Sequence, residues 1–186
     1  MKEVKEAEII SEKTQIEKNE PEIIKEKTQI EKNEPEIVKE KTKIGIASDH
    51  RGYDLKQKLT KYLLKKGYTV IDYGCDNKNS HDYPEYGFKL GEAVSQGKVE
   101  KGVAICGSGI GISIACNKVK GIRCAKVDTV KETKYTREDN DANIIAISGE
   151  MTSWNAKDIV DMFLNTKFKG EERHQRRIDM LNNYGN

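Results

Sequence analysis

The run Val103-Ala104-Ile105-Cys106-Gly107-Ser108-Gly109-Ile110-Gly111-Ile112-Ser113-Ile114-Ala115 ends an apolar segment in one cysteine and follows it with three glycines at alternate positions. A thiol beside closely spaced backbone amides can take a proton from carbon while the amides of Gly107, Gly109 and Gly111 receive the developing oxyanion. A helix starting just beyond the loop would direct partial positive charge at the same point, which favours thiolate over thiol. Two plainer readings stand beside this one. A strand, glycine turn and helix also arise where a helix packs tightly on a sheet, and a cysteine at a strand end often serves as a small core residue. The spacing G-x-G-x-G departs from the dinucleotide fingerprint, and no Gly-Lys-Ser/Thr follows to make a P-loop.

Further residues with usable chemistry lie elsewhere in the chain. Asp49 and His50 follow an apolar run, Tyr83 precedes Pro84, and Asp139-Asn140 precede another apolar run. Asp49 also suits an N-cap for a helix beginning near Tyr53. Arg173 and Arg177 are four apart, with His174 beside the first, so on a helix the two guanidiniums share a face. Such a pair suits a phosphate; it also suits a solvated basic face countering Glu171 and Glu172.

The elements that must position these groups follow from hydrophobic periodicity. Strands are predicted at Lys43 to Ala47, Thr69 to Tyr73, Gly102 to Cys106, Ile122 to Val127 and Asn143 to Ser148. Between them lie helical stripes: Leu55, Leu59, Tyr62 and Leu63; then Phe88 to Val94; then Val160, Phe163 and Leu164. Strands alternating with helices imply an α/β fold, a doubly wound, Rossmann-like parallel sheet of five strands in a three-layer αβα sandwich. Ligands in such sheets bind at the carboxyl ends of the strands. That rule is expected to gather Asp49-His50, Cys106 and the Arg137 to Asn143 segment there.

The 186 residues allow one domain with an extension. Residues 1–41 form a charged 14-residue repeat, EIISEKTQIEKNEP from Glu8 and EIIKEKTQIEKNEP from Glu22, leaving residues 42–186 as the domain. Ile9, Ile16, Ile23, Ile30 and Ile37 recur every seven residues, yet Glu, Lys or Asn fills the second seam position and Pro21 and Pro35 interrupt a helix. The extension is expected to be disordered or partly helical. Its nine lysines against twelve glutamates leave the domain at about +5 within a net +2. That is too small for a nucleic-acid footprint but compatible with a small phosphorylated ligand. Four cysteines without paired C-x-x-C spacing and no stretch of 18 apolar residues predict a cytoplasmic protein without a membrane segment. Three scattered histidines give no structural zinc site.

Taken together, Asp49-His50-Arg51-Gly52, Asp82-Tyr83-Pro84, Ile105 to Ala115, Asn117-Lys118, Gly121-Ile122-Arg123, Asn140-Asp141-Ala142-Asn143 and Arg173-His174-Gln175-Arg176-Arg177 resemble the B-type ribose-5-phosphate isomerases, in order, over residues 43 to 182. The same superfamily contains galactose-6-phosphate and allose-6-phosphate isomerases. The resemblance implies an aldose–ketose isomerase of the pentose phosphate pathway, working through an enediolate with no metal or organic cofactor. Cys106 would be the base, with Gly107, Gly109 and Gly111 as the oxyanion cradle and Ser108 on a sugar hydroxyl. Asp49 and Tyr83 would hold hydroxyls, His50 the phosphate, and Asn140 the reacting end. Arg173, His174 and Arg177 would reach the phosphate across the interface of a homodimer with shared active sites.

Two positions depart from the family pattern. Asp139 stands where most members place the histidine credited with opening the furanose ring, and an ordinary aspartate is ionised at neutral pH and cannot donate a proton first. Glu150 stands where an arginine often contributes to phosphate binding. A different sugar phosphate, or a non-catalytic subunit role in a hetero-oligomer, are the alternative functions these changes admit.

Overall fold

The computed structural model describes residues 42–184. The repeat extension of residues 1–41 lies outside the described residues, so the readings made of it are not addressed by the fold.

The chain alternates strand and helix as β1 (Lys43–Ser48), α1 (Tyr53–Lys65), β2 (Thr69–Asp72), α2 (Tyr83–Ser95), β3 (Lys101–Cys106), α3 (Ile110–Cys116), β4 (Cys124–Lys126), α4 (Val130–Glu138), β5 (Ile144–Ser148), α5 (Ser153–Asn165) and α6 (Glu172–Asn183). All strand pairs are parallel, in the order β2-β1-β3-β5-β4. The order in which successive strands are added across the sheet switches sides between β1 and β3, the topological switch point at which such sheets open a crevice above their carboxyl ends.

The two faces of the sheet differ in side-chain size. Ile44, Ile46, Val103, Ile105, Ile145 and Ile147 form one face and bury Leu55, Leu59 and Leu63 of α1 with Ile159, Val160 and Phe163 of α5. The opposite face carries Gly45 paired with Gly102, and Ala47, Ala104 and Ala146 in register, under α2 and α3. The small residues let those helices approach closely. A Cβ on Gly45 or Gly102 would lie 2.6 or 3.2 Å from Leu90 Cδ1, and one on Gly87 of α2 would lie 2.7 Å from Ala115 Cβ of α3. Cys106, paired with Ser148, continues the file of small residues on this face.

Several side chains depart from the expected stripes. Phe88 is exposed, and α2 instead buries Tyr86, Leu90, Ala93 and Val94 with its glycines. Tyr62 is only partly buried because its hydroxyl donates to Asp161 Oδ2 at 2.6 Å. Lys56 is 1 % exposed, its ammonium paired with Asp72 Oδ2 at 2.7 Å and donating to the Cys75 carbonyl at 2.5 Å. β4 is shorter than predicted: the Arg123 amide donates to the Asn143 side chain at 2.9 Å rather than to a strand carbonyl.

One expectation is overturned by topology. The segment from Arg137 to Asn143 does not stand with Cys106 at the carboxyl edge; it closes α4 and enters β5 at the amino edge, where the Asn143 carbonyl accepts from Gly102 N at 2.9 Å. In a parallel sheet a residue preceding a strand lies at the edge opposite one that follows a strand.

Candidate active site

At the carboxyl edge, Cys106 ends β3 with 4 % of its surface exposed. Gly109 N donates to its Sγ at 3.2 Å, so the thiol sits directly under the loop amides. Gly109 adopts φ +79°, and a Cβ there would lie 2.8 Å from the Ile147 carbonyl carbon. This position therefore demands glycine on two counts. A Cβ on Gly111 would lie 2.7 Å from Tyr83 Cζ, which places the Tyr83 ring across the first turn of α3. Ser108 is exposed, and its Oγ accepts from Ile110 N at 3.2 Å.

Asp49 does not cap α1, whose N-cap is Gly52; it folds the preceding turn instead. Its Oδ1 accepts from Arg51 N at 2.9 Å and Gly52 N at 3.0 Å, while its own amide donates to the Ile105 carbonyl at 3.2 Å. Oδ2 remains the atom available to a ligand hydroxyl. His50 Nδ1 accepts from His81 N at 3.1 Å, which leaves the proton of the neutral ring on Nε2. His81 is in turn held by Asn77 Oδ1 at 3.1 Å and Tyr86 OH at 3.0 Å. Sequence reading missed His81 because it acts through its backbone amide.

Cys75 and Cys124 are held toward the neutral thiol. Burial pushes the Cys75 thiol up, and a hydrogen bond with Cys116, reinforced by burial, pushes Cys124 well above the usual thiol range. Among the described residues, no group of three or more His, Cys, Asp or Glu side chains could hold a metal ion, and no helix is long and apolar enough to cross a membrane.

At the amino edge, Asp139 is the C-cap of α4, and His174 of α6 approaches it with Nε2 3.6 Å from Oδ1. Asn140, Arg173 and Arg177 are exposed beside them, and Arg173 Nε donates to Glu171 Oε2 at 2.9 Å. The turn that presents Asp139 and Asn140 is built by two arginines. Asp141 takes φ +44°, an uncommon conformation for a residue with a side chain. Arg137 Nη1 holds its Oδ1 at 2.8 Å and Arg123 Nη2 its Oδ2 at 3.1 Å. Arg123 also donates through Nε to the Asn140 carbonyl at 2.9 Å and through Nη1 to Asn182 of α6 at 3.2 Å. The Gly121-Ile122-Arg123 motif was visible in the sequence; its bracing role was not.

One chain thus collects two groups rather than one. Cys106, the glycine loop, Asp49, His50 and Tyr83 stand at one edge, with Asp139, Asn140, Arg173, His174 and Arg177 at the other. The four residue steps from Gly102 to Cys106 separate the edges by about 13 Å. The first group offers a thiol and oxyanion donors; the second offers guanidiniums, an amide and a carboxylate–imidazole contact.

Comparison with known proteins settles the family. A family model described as Ribose/Galactose Isomerase matches residues 44–181. The chain belongs to the ribose/galactose isomerase family. It is 42 % identical over 144 residues to the Bacillus subtilis protein named "Putative sugar phosphate isomerase YwlF", covering 76 % of this chain and 96 % of that one. It is 41 % identical to galactose-6-phosphate isomerase subunit LacB of Clostridium acetobutylicum, covering 73 % of this chain and 79 % of the relative. The solved structure of Clostridium thermocellum ribose-5-phosphate isomerase B superposes with a TM-score of 0.74 at 46 % identity, covering 76 % of this chain and 95 % of that one. The protein is therefore a sugar phosphate isomerase of this family, and the five-stranded, three-layer fold is the family's fold.

Proposed function

We propose that the protein interconverts ribose 5-phosphate and ribulose 5-phosphate as a homodimer, in the reducing setting of the cytoplasm that its four free cysteines suit. The observation that carries this reading is Cys106 Sγ lying 3.2 Å from Gly109 N in a chain 46 % identical to a ribose-5-phosphate isomerase B.

In the aldose direction the Cys106 thiolate removes the proton from C2 of the open-chain sugar. The C2–H electron pair forms the C1–C2 double bond, and the carbonyl oxygen at C1 becomes an enediolate oxygen held by the loop amides. Movement of a proton between the two enediolate oxygens, followed by return of the Cys106 proton to C1, gives the ketose. Each amide aimed at the developing charge contributes about 3 kcal/mol to such a step. Asp49 Oδ2 and the Tyr83 hydroxyl orient the sugar, Ser108 holds a further hydroxyl, and His50 Nε2 faces the phosphate. Asn140, Arg173, His174 and Arg177 complete each site from the second copy, a reading supported by the separation of the two groups in one chain.

The test is a coupled isomerase assay on ribose 5-phosphate, allose 6-phosphate and galactose 6-phosphate. The highest kcat/KM is expected for ribose 5-phosphate. A second reading, a hexose 6-phosphate isomerase, draws on Asp139 in place of the family histidine and on the 41 % identity to LacB. It wins if either hexose 6-phosphate is turned over faster than ribose 5-phosphate.

A further inference from the structure

The carboxyl edge contains a cation that neither the glycine loop nor the resemblance assigns. Arg51, in the turn between β1 and α1, lays its guanidinium against Gly107: a Cβ there would lie 2.5 Å from Cζ, 2.5 Å from Nη1 and 2.7 Å from Nε. Three guanidinium atoms nearly equidistant from one point mean that the plane lies face-on over the first glycine of the loop. Its Nη2 is paired with Glu150, the residue that follows β5 and the Gly149 turn.

Arg51 is anchored within its own turn and Glu150 to the loop, each through its backbone amide. Arg51 N donates to Asp49 Oδ1 at 2.9 Å. Glu150 N donates to Ser148 Oγ at 3.1 Å, and that hydroxyl donates to the Gly107 carbonyl at 2.7 Å. The side chains themselves are exposed, 56 % for Arg51 and 72 % for Glu150, so the pair is weak and readily exchanged for a more highly charged anion. A phosphate dianion entering the carboxyl-edge crevice meets Nε and Nη1 of Arg51, the edge that Glu150 does not occupy, next to His50 in the same turn. The enediolate is a poorer candidate for this cation, since it needs fixed donors, and the loop amides already supply them.

We propose that Arg51 is a phosphate-binding residue of this site and that Glu150 is its resting counter-ion, which loosens its hold on Nη2 and shares the guanidinium when the substrate's phosphate takes Nε and Nη1. The inference rests on the sugar-phosphate reading above. Glu150 then does not repel the phosphate, because its charge is neutralised by Arg51 before binding and the guanidinium is shared afterwards.

Kinetics on Arg51→Ala, Glu150→Gln and the double variant test this. Arg51→Ala should raise KM about tenfold with kcat within about twofold, the loss of one charge-assisted contact. The inhibition constant of inorganic phosphate should rise in parallel. In the double variant KM should stay at least about fivefold raised, because the contact itself is gone. A return to the wild-type KM in the double variant would mean that Arg51 only screens Glu150, and the proposal would fall. It would fall equally if Arg51→Ala left KM and phosphate inhibition unchanged in an active enzyme. A wild type inactive on every sugar phosphate would instead overturn the proposed function; calorimetric titration of inorganic phosphate into wild type and Arg51→Ala would then decide the Arg51 contact by itself.

Discussion

His174 Nε2 stands 3.6 Å from Asp139 Oδ1, and that nitrogen is buried without a hydrogen-bond partner among the described residues. Glu171 Oε2 flanks the same atom at 3.8 Å. An imidazole therefore lies behind the Asp139 carboxylate. Asp139 itself is 41 % exposed at the side chain, whereas His174 is buried and its Nε2 is closed off from solvent. In the proposed reaction Asp139 is the acceptor for the proton of an anomeric hydroxyl, with the buried ring behind it.

Under the proposed function, that arrangement predicts that ring opening is the slow step on the cyclic sugar. Asp139→His should raise turnover of ribose 5-phosphate severalfold, while ribulose 5-phosphate, which cannot close to a furanose, should change little in its early steps. Pre-steady-state rates in both directions check this. A similar large fall in both would make Asp139 an integrated catalytic group in its own right.

Cys106→Ala should abolish isomerisation and leave the fold unchanged by circular dichroism, because in the proposed mechanism the thiol is the acid–base group between C1 and C2. Retention of more than about a tenth of the rate would correspond to a barrier change below about 1.4 kcal/mol, too small for an essential base. Iodoacetamide should inactivate the wild type, with protection by substrate.

Mixing inactive Cys106→Ala and Arg177→Ala subunits should restore part of the activity, since one of the two sites in each heterodimer would carry neither lesion. Absence of recovery in verified heterodimers would place Arg177 in the service of its own chain's thiol, against the separation of the two groups.

Lys101, at the amino end of β3, has its ammonium pKa pushed down to about 8 by burial, with Arg137 adding to the effect. Unfolded, the same amine titrates near 10.5. Between these values the unfolded chain binds more protons than the folded one, so this group's contribution to stability rises with pH from about 8 upward. Urea melts at pH 8 and pH 9 should show a stability gain in the wild type that is smaller in Lys101→Met. The raised Cys75 and Cys124 thiols act in the opposite sense above pH 9, which is why the comparison stops there.

The strands and the Cys106 loop were readable because each is a local pattern: an apolar run, then glycines at fixed offsets. What was not readable depended on distant partners. Arg51 meets Glu150 across ninety-nine positions, and nothing adjacent to either residue announces the pair. Phe88 was assigned inward on hydrophobicity, yet Gly87 and Gly91 mark the buried side of α2, because contact with α3 is set by how closely backbones can approach. The site halves were misjudged for a topological reason: Asp139 and Asn140 precede β5, and only the parallel direction of that strand fixes which edge they occupy.

The distance between Cys106 and Arg177 in one chain also has a consequence for mass action. An enzyme whose thiol and guanidiniums come from different copies has no competent monomer, so its specific activity follows the dimer fraction and falls on dilution below the dissociation constant. Substrate, by bridging the two copies, would then tighten the association it depends on, and the apparent Michaelis constant would vary with the concentration of the protein itself.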